Sequence, residues 1–256
     1  MDDTQFGIPF MLTALAGLST AIGSFVSLFI REMKKSYLQF FLGISAGVMI
    51  YVSFVELLPQ SVAKVGFFNA NAALFFGIVF ILAIDFFIPH YYIGESVEGA
   101  TKHARLMTAG MFTAWGIGIH NLPEGMVVFI STVGDIRLGI PLAMAIALHN
   151  IPEGIAIAMP IFYATQSRKK AFWYSFWAGL AEPLGAVIAV LLIIPFLSSS
   201  FLFYLLAFVA GIMIFISFDE LLPLSYEQRV APRTEHLSIL GVVLGMLIMA
   251  FNLWLF

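Results

Sequence analysis

The sequence predicts an all-α polytopic membrane protein of about eight transmembrane helices, for three reasons. The first is composition, because 61% of the 256 residues are hydrophobic and only 11% are charged. Soluble domains are about 45–50% apolar and about 25% charged, so the surplus apolar surface must face lipid. The second reason is the spacing of long apolar stretches, and the third is an internal repeat.

Eight stretches of the chain are long and apolar enough to span a bilayer, for which a helix needs about 20 mostly apolar residues. The connections between them are short, so residues 1–256 are predicted to form a single transmembrane domain. The predicted spans are residues 8–30, 37–60, 67–88, 106–130, 138–164, 171–196, 200–224 and 237–256.

Lysine and arginine are distributed unevenly over the predicted loops. The loops on one side carry ten of the 12 basic residues, and the other side carries only Lys64 and Arg137. Basic loops stay in the cytoplasm, so we expect a multi-pass protein of the cell inner membrane with both termini on the outer face. The small net charge of -3 argues against a nucleic-acid partner, which leaves the lipid bilayer as the expected surroundings.

Two parts of the chain are copies of one another. Leu42–Ser61 and Leu206–Ser225 are identical at 12 of 20 aligned positions, and Ala16–Gly23 resembles Ala178–Gly185 at nearly the same offset. The copies lie five spans apart, an odd number, so they cross the membrane in opposite directions. This predicts an inverted repeat of helices 1–3 and 6–8 around central helices 4 and 5, an architecture typical of secondary transporters. The first repeat is predicted over residues 8–88, the central helices over residues 106–164 and the second repeat over residues 171–256.

Central spans 4 and 5 each contain one His-Asn-x-Pro-Glu-Gly motif. At about 100° per residue, the glutamate falls between the histidine and the asparagine on one helix face. The chain has no cysteine, and His, carboxylate and amide ligands favour Zn²⁺, Fe²⁺ and Mn²⁺ over Cu(I). Two facing motifs can hold one metal ion, or two about 3.5–4 Å apart. The candidate ligands are His120, Asn121, Glu124, His149, Asn150 and Glu153.

Each motif also contains a proline and a glycine. Pro123 and Pro152 cannot donate to the carbonyl one turn earlier, so we expect each to kink its helix beside the ligands. Gly125 and Gly154 are expected to let the two motif helices approach each other closely. The alternative is a buried hydrogen-bonded network that joins two helices without binding metal. Two copies of the pattern, each beside a proline, favour the metal site.

Further acidic residues extend the predicted site. Glu182 in span 6 is followed by Pro183, and we interpret it as a ligand rather than as a structural hydrogen-bonding residue. Glu56 lies near the outer end of span 2, while Asp219 and Glu220 lie near the inner end of span 7. Carboxylates at both mouths would concentrate cations along a path. The alternative for each is a solvated helix end.

With these residues, the sequence resembles the ZIP (Zrt/Irt-like) metal transporters along its whole length, in particular the bacterial ZupT/GufA-like branch. The two motifs are similar to the family's signature in its fourth and fifth helices. The resemblance implies a binuclear site, uptake toward the cytoplasm, an elevator-like or rocking motion of one helix bundle against another, and a homodimer. It implies one position formed by His120, Glu124, His149 and Glu153, and another formed by Asn121, Glu124, Asn150, Glu153 and Glu182.

The leading hypothesis is a transporter, not an enzyme, whose substrate is a divalent metal ion and which needs no cofactor. Zn²⁺ is the first choice, with Fe²⁺, Mn²⁺, Co²⁺ and Cd²⁺ as alternatives. One rival is a membrane-embedded metal-dependent hydrolase, which needs an open coordination position and a general base. The other is a proton-coupled carrier of another solute. His90 and His103 are interpreted as solvated loop residues, and Asp85 has no assigned role.

Overall fold

The structure is a computed structural model that describes residues 4–29, 35–86, 102–193, 199–227 and 236–255. Within these ranges the chain is helical almost throughout and contains no strand, which confirms the all-α prediction. Five of the eight helical segments are uninterrupted α-helices. They are α1 (Thr4–Phe29), α3 (Phe67–Asp85), α4 (Lys102–Gly134), α5 (Ile136–Thr165) and α8 (Leu237–Leu255).

The other three segments each contain one π-helical turn. Segment α2 consists of Lys35–Val52, the π-turn Ser53–Leu57 and Leu58–Val65. Segment α6 consists of Arg168–Gly179, Ala181–Ile188 and the π-turn Ala189–Ile193. Segment α7 consists of Ser199–Ile216, the π-turn Ser217–Leu221 and Leu222–Glu227.

Seven segments in the described ranges are long and apolar enough to cross a membrane, and α4 is the segment that does not reach the threshold. The reason is its composition, because α4 combines the polar motif with five glycines, whereas α5 has the same motif and only two glycines. Its 33 residues still extend over about 50 Å at 1.5 Å per residue. The eight predicted spans therefore correspond to eight helical segments of a polytopic membrane protein.

The eight segments form two bundles. Segments α1, α4, α5 and α6 pack on one another and form the first bundle, while α2, α3, α7 and α8 form the second bundle. The most extensive packing between the bundles is that of α2 against α5. Both motif-bearing helices therefore belong to the first bundle, and α2 is their main neighbour in the second.

The repeated sequence adopts the same unusual local structure twice. The π-turns of α2 and α7 occupy equivalent positions of the repeat. The Ser53 hydroxyl donates to the Met49 carbonyl, and the Ser217 hydroxyl donates to the Met213 carbonyl, each at 2.7 Å. Single π-turns within helices are rare, so their recurrence at matched positions supports the predicted repeat.

The motif glycines mark two equivalent helix crossings. A methyl group at Gly125 would stand 2.1 Å from the Glu182 carbonyl oxygen of α6, and one at Gly154 would stand 1.9 Å from the Thr20 carbonyl oxygen of α1. Thr20 and Glu182 are equivalent positions of the repeat. The expectation that these glycines bring α4 and α5 together was wrong. Each glycine instead allows its motif helix to cross a helix of one repeat.

Candidate metal site

The seven predicted ligands lie together in the interior of the first bundle. His120 is 1% exposed, and the other six side chains are fully buried. Helices α4 and α5 each supply one motif, and α6 supplies Glu182. Ionisable groups at this depth in a membrane protein are costly unless they have partners, so their contacts with one another are informative.

Each histidine contacts the glutamate of the other motif. Nε2 of His120 lies 3.4 Å from Oε2 of Glu153, and Nε2 of His149 lies 3.2 Å from Oε2 of Glu124. The two contacts are reciprocal, so α4 and α5 are related by an approximate two-fold axis through the site. The motif faces are thus turned toward each other, as the hypothesis of a shared site requires.

The two asparagines connect the motifs to the repeats. The Asn121 amide donates to the Ala178 carbonyl of α6 over 3.3 Å, and the Asn150 amide donates to the Ala16 carbonyl of α1 over 3.0 Å. Ala16 and Ala178 are equivalent positions of the repeat. The approximate symmetry therefore extends to α1 and α6. It ends at one place, since Asn150 also donates to the Glu182 carboxylate, where α1 has the uncharged Thr20.

An interruption in α6 positions Glu182. The α-helix is interrupted at Leu180, between Gly179 and Ala181, and Pro183 has no N–H to donate to the Gly179 carbonyl. A methyl group at Gly179 would stand 2.3 Å from the Gly17 carbonyl oxygen, so α1 contacts α6 at the same level. Glu182 follows directly and enters the buried centre beside Asn150.

Ser45 of α2 is a contact that the sequence did not predict. Its hydroxyl lies 3.4 Å from the His149 carbonyl oxygen and 3.5 Å from Oε1 of Glu153, at the long end of hydrogen-bonding distance. It connects the second bundle to two of the predicted ligands. The repeat contains a usable signal, because the position equivalent to Ser45 is the apolar Val209.

Several oxygens of the site accept no hydrogen bond within the described part of the chain. They belong to the side chains of both asparagines and two of the glutamates, and all are buried. A buried acceptor without a donor costs about 1–3 kcal/mol. A cation bound among them would supply a partner that the described chain does not. The atoms are Asn121 Oδ1, Glu124 Oε1, Asn150 Oδ1 and Glu182 Oε2.

The described side chains do not form a closed coordination sphere. Among them, no three His, Asp or Glu groups are arranged so that they could hold a metal ion. Each imidazole instead lies beside a single carboxylate, that of the other motif. Two ligands that are each about 2.0–2.2 Å from a tetrahedral ion are about 3.3–3.6 Å from one another, so the contacts of 3.2–3.4 Å are near the spacing of two atoms that share one ion. The seven residues accordingly stay predicted ligands.

The acidic residues predicted to line the path are half-buried in the two π-turns. Glu56 accepts a hydrogen bond from Gln60 one turn further along α2. Oε2 of Glu220 would lie 3.3 Å from a methyl group at Gly116, one turn before His120 on α4. Glu220 is therefore close to the buried site. His90 and the side chains of His103 and Asp85 lie outside the described residues.

Comparison with known proteins finds a family and relatives that match this chain over much or nearly all of its length. The profile of the family described as ZIP zinc transporter matches residues 93–253. A zinc transporter ZupT of Chlorobium phaeovibrioides is 49% identical, over 96% of each chain. The zinc transporter ZupT of Streptococcus mutans is 48% identical, over 96% of this chain and 97% of that protein. That of Corynebacterium aurimucosum is 42% identical over the full length of both chains.

The profile match includes both motif helices and the second repeat, and the relatives are similar across nearly the entire chain. The family and these relatives are described as transporters, so the hydrolase alternative has no support from them. Seven apolar helices of membrane-spanning length agree with a multi-pass membrane protein. The chain belongs to the ZIP zinc transporter family.

Proposed function

We propose that this single transmembrane domain carries divalent transition-metal ions across the bilayer, with Zn²⁺ as the principal substrate. The observation that carries the proposal is the set of four buried acceptor oxygens without donors, at the point where α4, α5 and α6 meet. The names of the relatives, which are zinc transporters, support the same substrate class. The absence of cysteine in the chain leaves a ligand set that also suits Fe²⁺, Mn²⁺, Co²⁺ and Cd²⁺.

The contacts support two overlapping ion positions. The two histidine–glutamate pairs would together form one position, in which each imidazole supplies a neutral nitrogen and each carboxylate a negative charge. The contact between Asn150 and Glu182 would form the other. Glu124 and Glu153 would bridge the two ions. The ligands of the first position are His120, Glu124, His149 and Glu153. The ligands of the second position are Asn121, Glu124, Asn150, Glu153 and Glu182.

The division into bundles supports movement of the site as a unit. All seven proposed ligands belong to the first bundle, whereas the second approaches the site through Ser45, with contacts of 3.4 and 3.5 Å, and through Glu220 beside Gly116. Such long hydrogen bonds contribute little. Displacement of the first bundle along α2 would therefore cost little at the site. We propose that this displacement exposes the ions alternately to the two faces of the membrane.

The distribution of basic residues supports an orientation with both termini outside the cell inner membrane and transport toward the cytoplasm. In this orientation Glu220 lies between the site and the inner mouth. A homodimer is also part of the proposal, and the molecular mass of the reconstituted protein tests it separately.

The proposal is tested by Zn²⁺ influx into proteoliposomes that contain a metal-sensitive dye. We expect saturable influx that is absent from protein-free liposomes and is inhibited by Mn²⁺, Fe²⁺, Co²⁺ and Cd²⁺. Anomalous scattering from Zn²⁺-soaked crystals should place one or two ions among the seven proposed ligands. Metal-dependent turnover of a lipid or peptide without metal flux would contradict the proposal. Solute transport that survives complete metal chelation would favour a proton-coupled carrier instead.

Replacing Glu220 with glutamine should lower Zn²⁺ flux about tenfold, because it removes a negative charge beside Gly116, which is one helical turn before His120. The matched control is Asp219→Asn, which removes the same charge from the neighbouring half-buried residue. We expect that variant to retain flux within about twofold of the unmodified protein. The measurement is the initial rate of dye response in proteoliposomes. Equal losses in both variants would mean that charge at the mouth matters and proximity to His120 does not.

A further inference from the structure

A large apolar cleft opens on the outside of the first bundle between α4 and α6. Its volume is about 760 Å³. Three of the chain's four tryptophans line it, and Trp115 and Trp177 are 65% and 64% exposed. In a membrane-spanning chain such a face is in contact with lipid tails. Its lining includes Trp115, Ile119 and Leu122 of α4, and Trp173, Trp177 and Leu184 of α6.

A basic group at the beginning of α6 precedes the cleft residues of the same helix. Arg168, Lys169 and Lys170 are exposed there. Lys169 and Trp173 are four residues apart, as are Trp173 and Trp177, so the three side chains lie on one helix face. Positive charge at the membrane surface is thereby aligned with an aromatic channel that leads toward the bilayer centre.

We propose that this cleft binds one anionic phospholipid, with its headgroup at Arg168, Lys169 and Lys170 and an acyl chain along the tryptophans. Basic residues beside a membrane span attract anionic headgroups, and tryptophan packs well at the boundary between headgroup and acyl regions. The apolar lining fits a flexible hydrocarbon chain. The combination of three positive charges with an apolar channel selects a lipid that is both anionic and acylated.

Charge also disfavours a second copy of the chain as the occupant. Two copies related by a two-fold axis along the membrane normal would bring their basic triplets to the same side of the membrane and close together. Like charges at that interface repel.

The inner wall of the cleft includes Ala178, whose carbonyl accepts from Asn121, so a bound lipid would pack directly beside the crossing of α4 and α6.

The test uses tryptophan fluorescence of the full chain in phosphatidylcholine bilayers. Trp254, the fourth tryptophan, lies on α8 in the second bundle, and Trp254→Phe leaves only the cleft tryptophans. Phosphatidylglycerol or phosphatidylcholine with brominated acyl chains is titrated over the same range of mole fractions, and the two quenching curves are compared. We expect half-maximal quenching at about tenfold lower mole fraction of phosphatidylglycerol.

We expect the preference for phosphatidylglycerol to be lost in the triple variant Arg168→Gln, Lys169→Gln and Lys170→Gln. Quenching by both lipids should persist in that variant. The control combines Arg31→Gln, Lys34→Gln and Lys35→Gln, which remove three positive charges elsewhere in the sequence, and the preference should survive in it. Equal quenching by the two lipids in the protein that keeps its basic triplet would overturn the proposal. Retention of the preference in the first triple variant would do the same, as would weak quenching by both lipids, which would indicate a cleft covered by a second copy.

Discussion

Replacing both Glu124 and Glu153 with glutamine is expected to lower Zn²⁺ flux by on the order of 100-fold or more. Glutamine keeps the volume of the side chain and an acceptor oxygen but removes the negative charge that balances a divalent ion. In a fully buried site that charge is little screened by water. Loss of even an outer-shell partner of a metal ligand lowers affinity about 10–100-fold, so loss of two bridging carboxylates should cost more.

The matched control for this double variant is Glu56→Gln. It makes the same chemical change at a half-buried position in α2, where the residue contacts Gln60. We expect this control to reduce flux by less than about fivefold. Size-exclusion chromatography and circular dichroism would verify that the double variant is folded. If a folded double variant transported Zn²⁺ at the normal rate, the assignment of the site to these two glutamates would be wrong.

Much of the fold was accessible from the sequence because the bilayer imposes simple rules. Spans must be long and apolar, and the eight predicted stretches correspond to the eight described segments. Polar residues inside a span stand out against that background, which is why the motif residues and Glu182 could be identified. The copied segment likewise predicted equivalent structure in α2 and α7, which the matched π-turns show.

Tertiary packing determined what the sequence could not predict. Gly125 and Gly154 have small-residue signatures that predict a close helix crossing, but the signature does not say which helix is the partner. The π-turns depend on local hydrogen-bond geometry that hydropathy does not encode. Ser45 is an ordinary residue in its own helix, and it becomes relevant only because α2 packs beside α5.

Pairing within the site was also beyond sequence reasoning. The motif spacing places histidine and glutamate on one helix face, which suggests that each motif's own pair would share a cation. In the structure each histidine contacts the glutamate of the other helix. This depends on the relative axial position of α4 and α5, which pack on each other and also cross α6 and α1. Those crossings depend on the motif glycines.

Replacing Gly125 with alanine is therefore expected to affect both stability and transport. The added methyl group would stand 2.1, 2.5 and 2.6 Å from three backbone atoms of Glu182, and backbone cannot rotate away as a side chain can. Overpacking of this kind costs about 1–3 kcal/mol. Separation of α4 from α6 would also withdraw Glu182 from the site. We expect lower thermal stability in detergent and a flux reduced about tenfold.

Gly118→Ala is the matched control for this substitution. Gly118 lies on the same helix two turns earlier, also facing α6, but a methyl group there would lie 3.8 Å from the nearest atom, the Ala178 Cα. Alanine is favoured over glycine within a helix by about 1 kcal/mol, so this variant should be as stable as the unmodified protein or more so. The two variants make the same chemical change and differ in the distance to α6. If their melting temperatures and fluxes were equal, the close crossing at Gly125 would not be what holds Glu182 beside the two motifs.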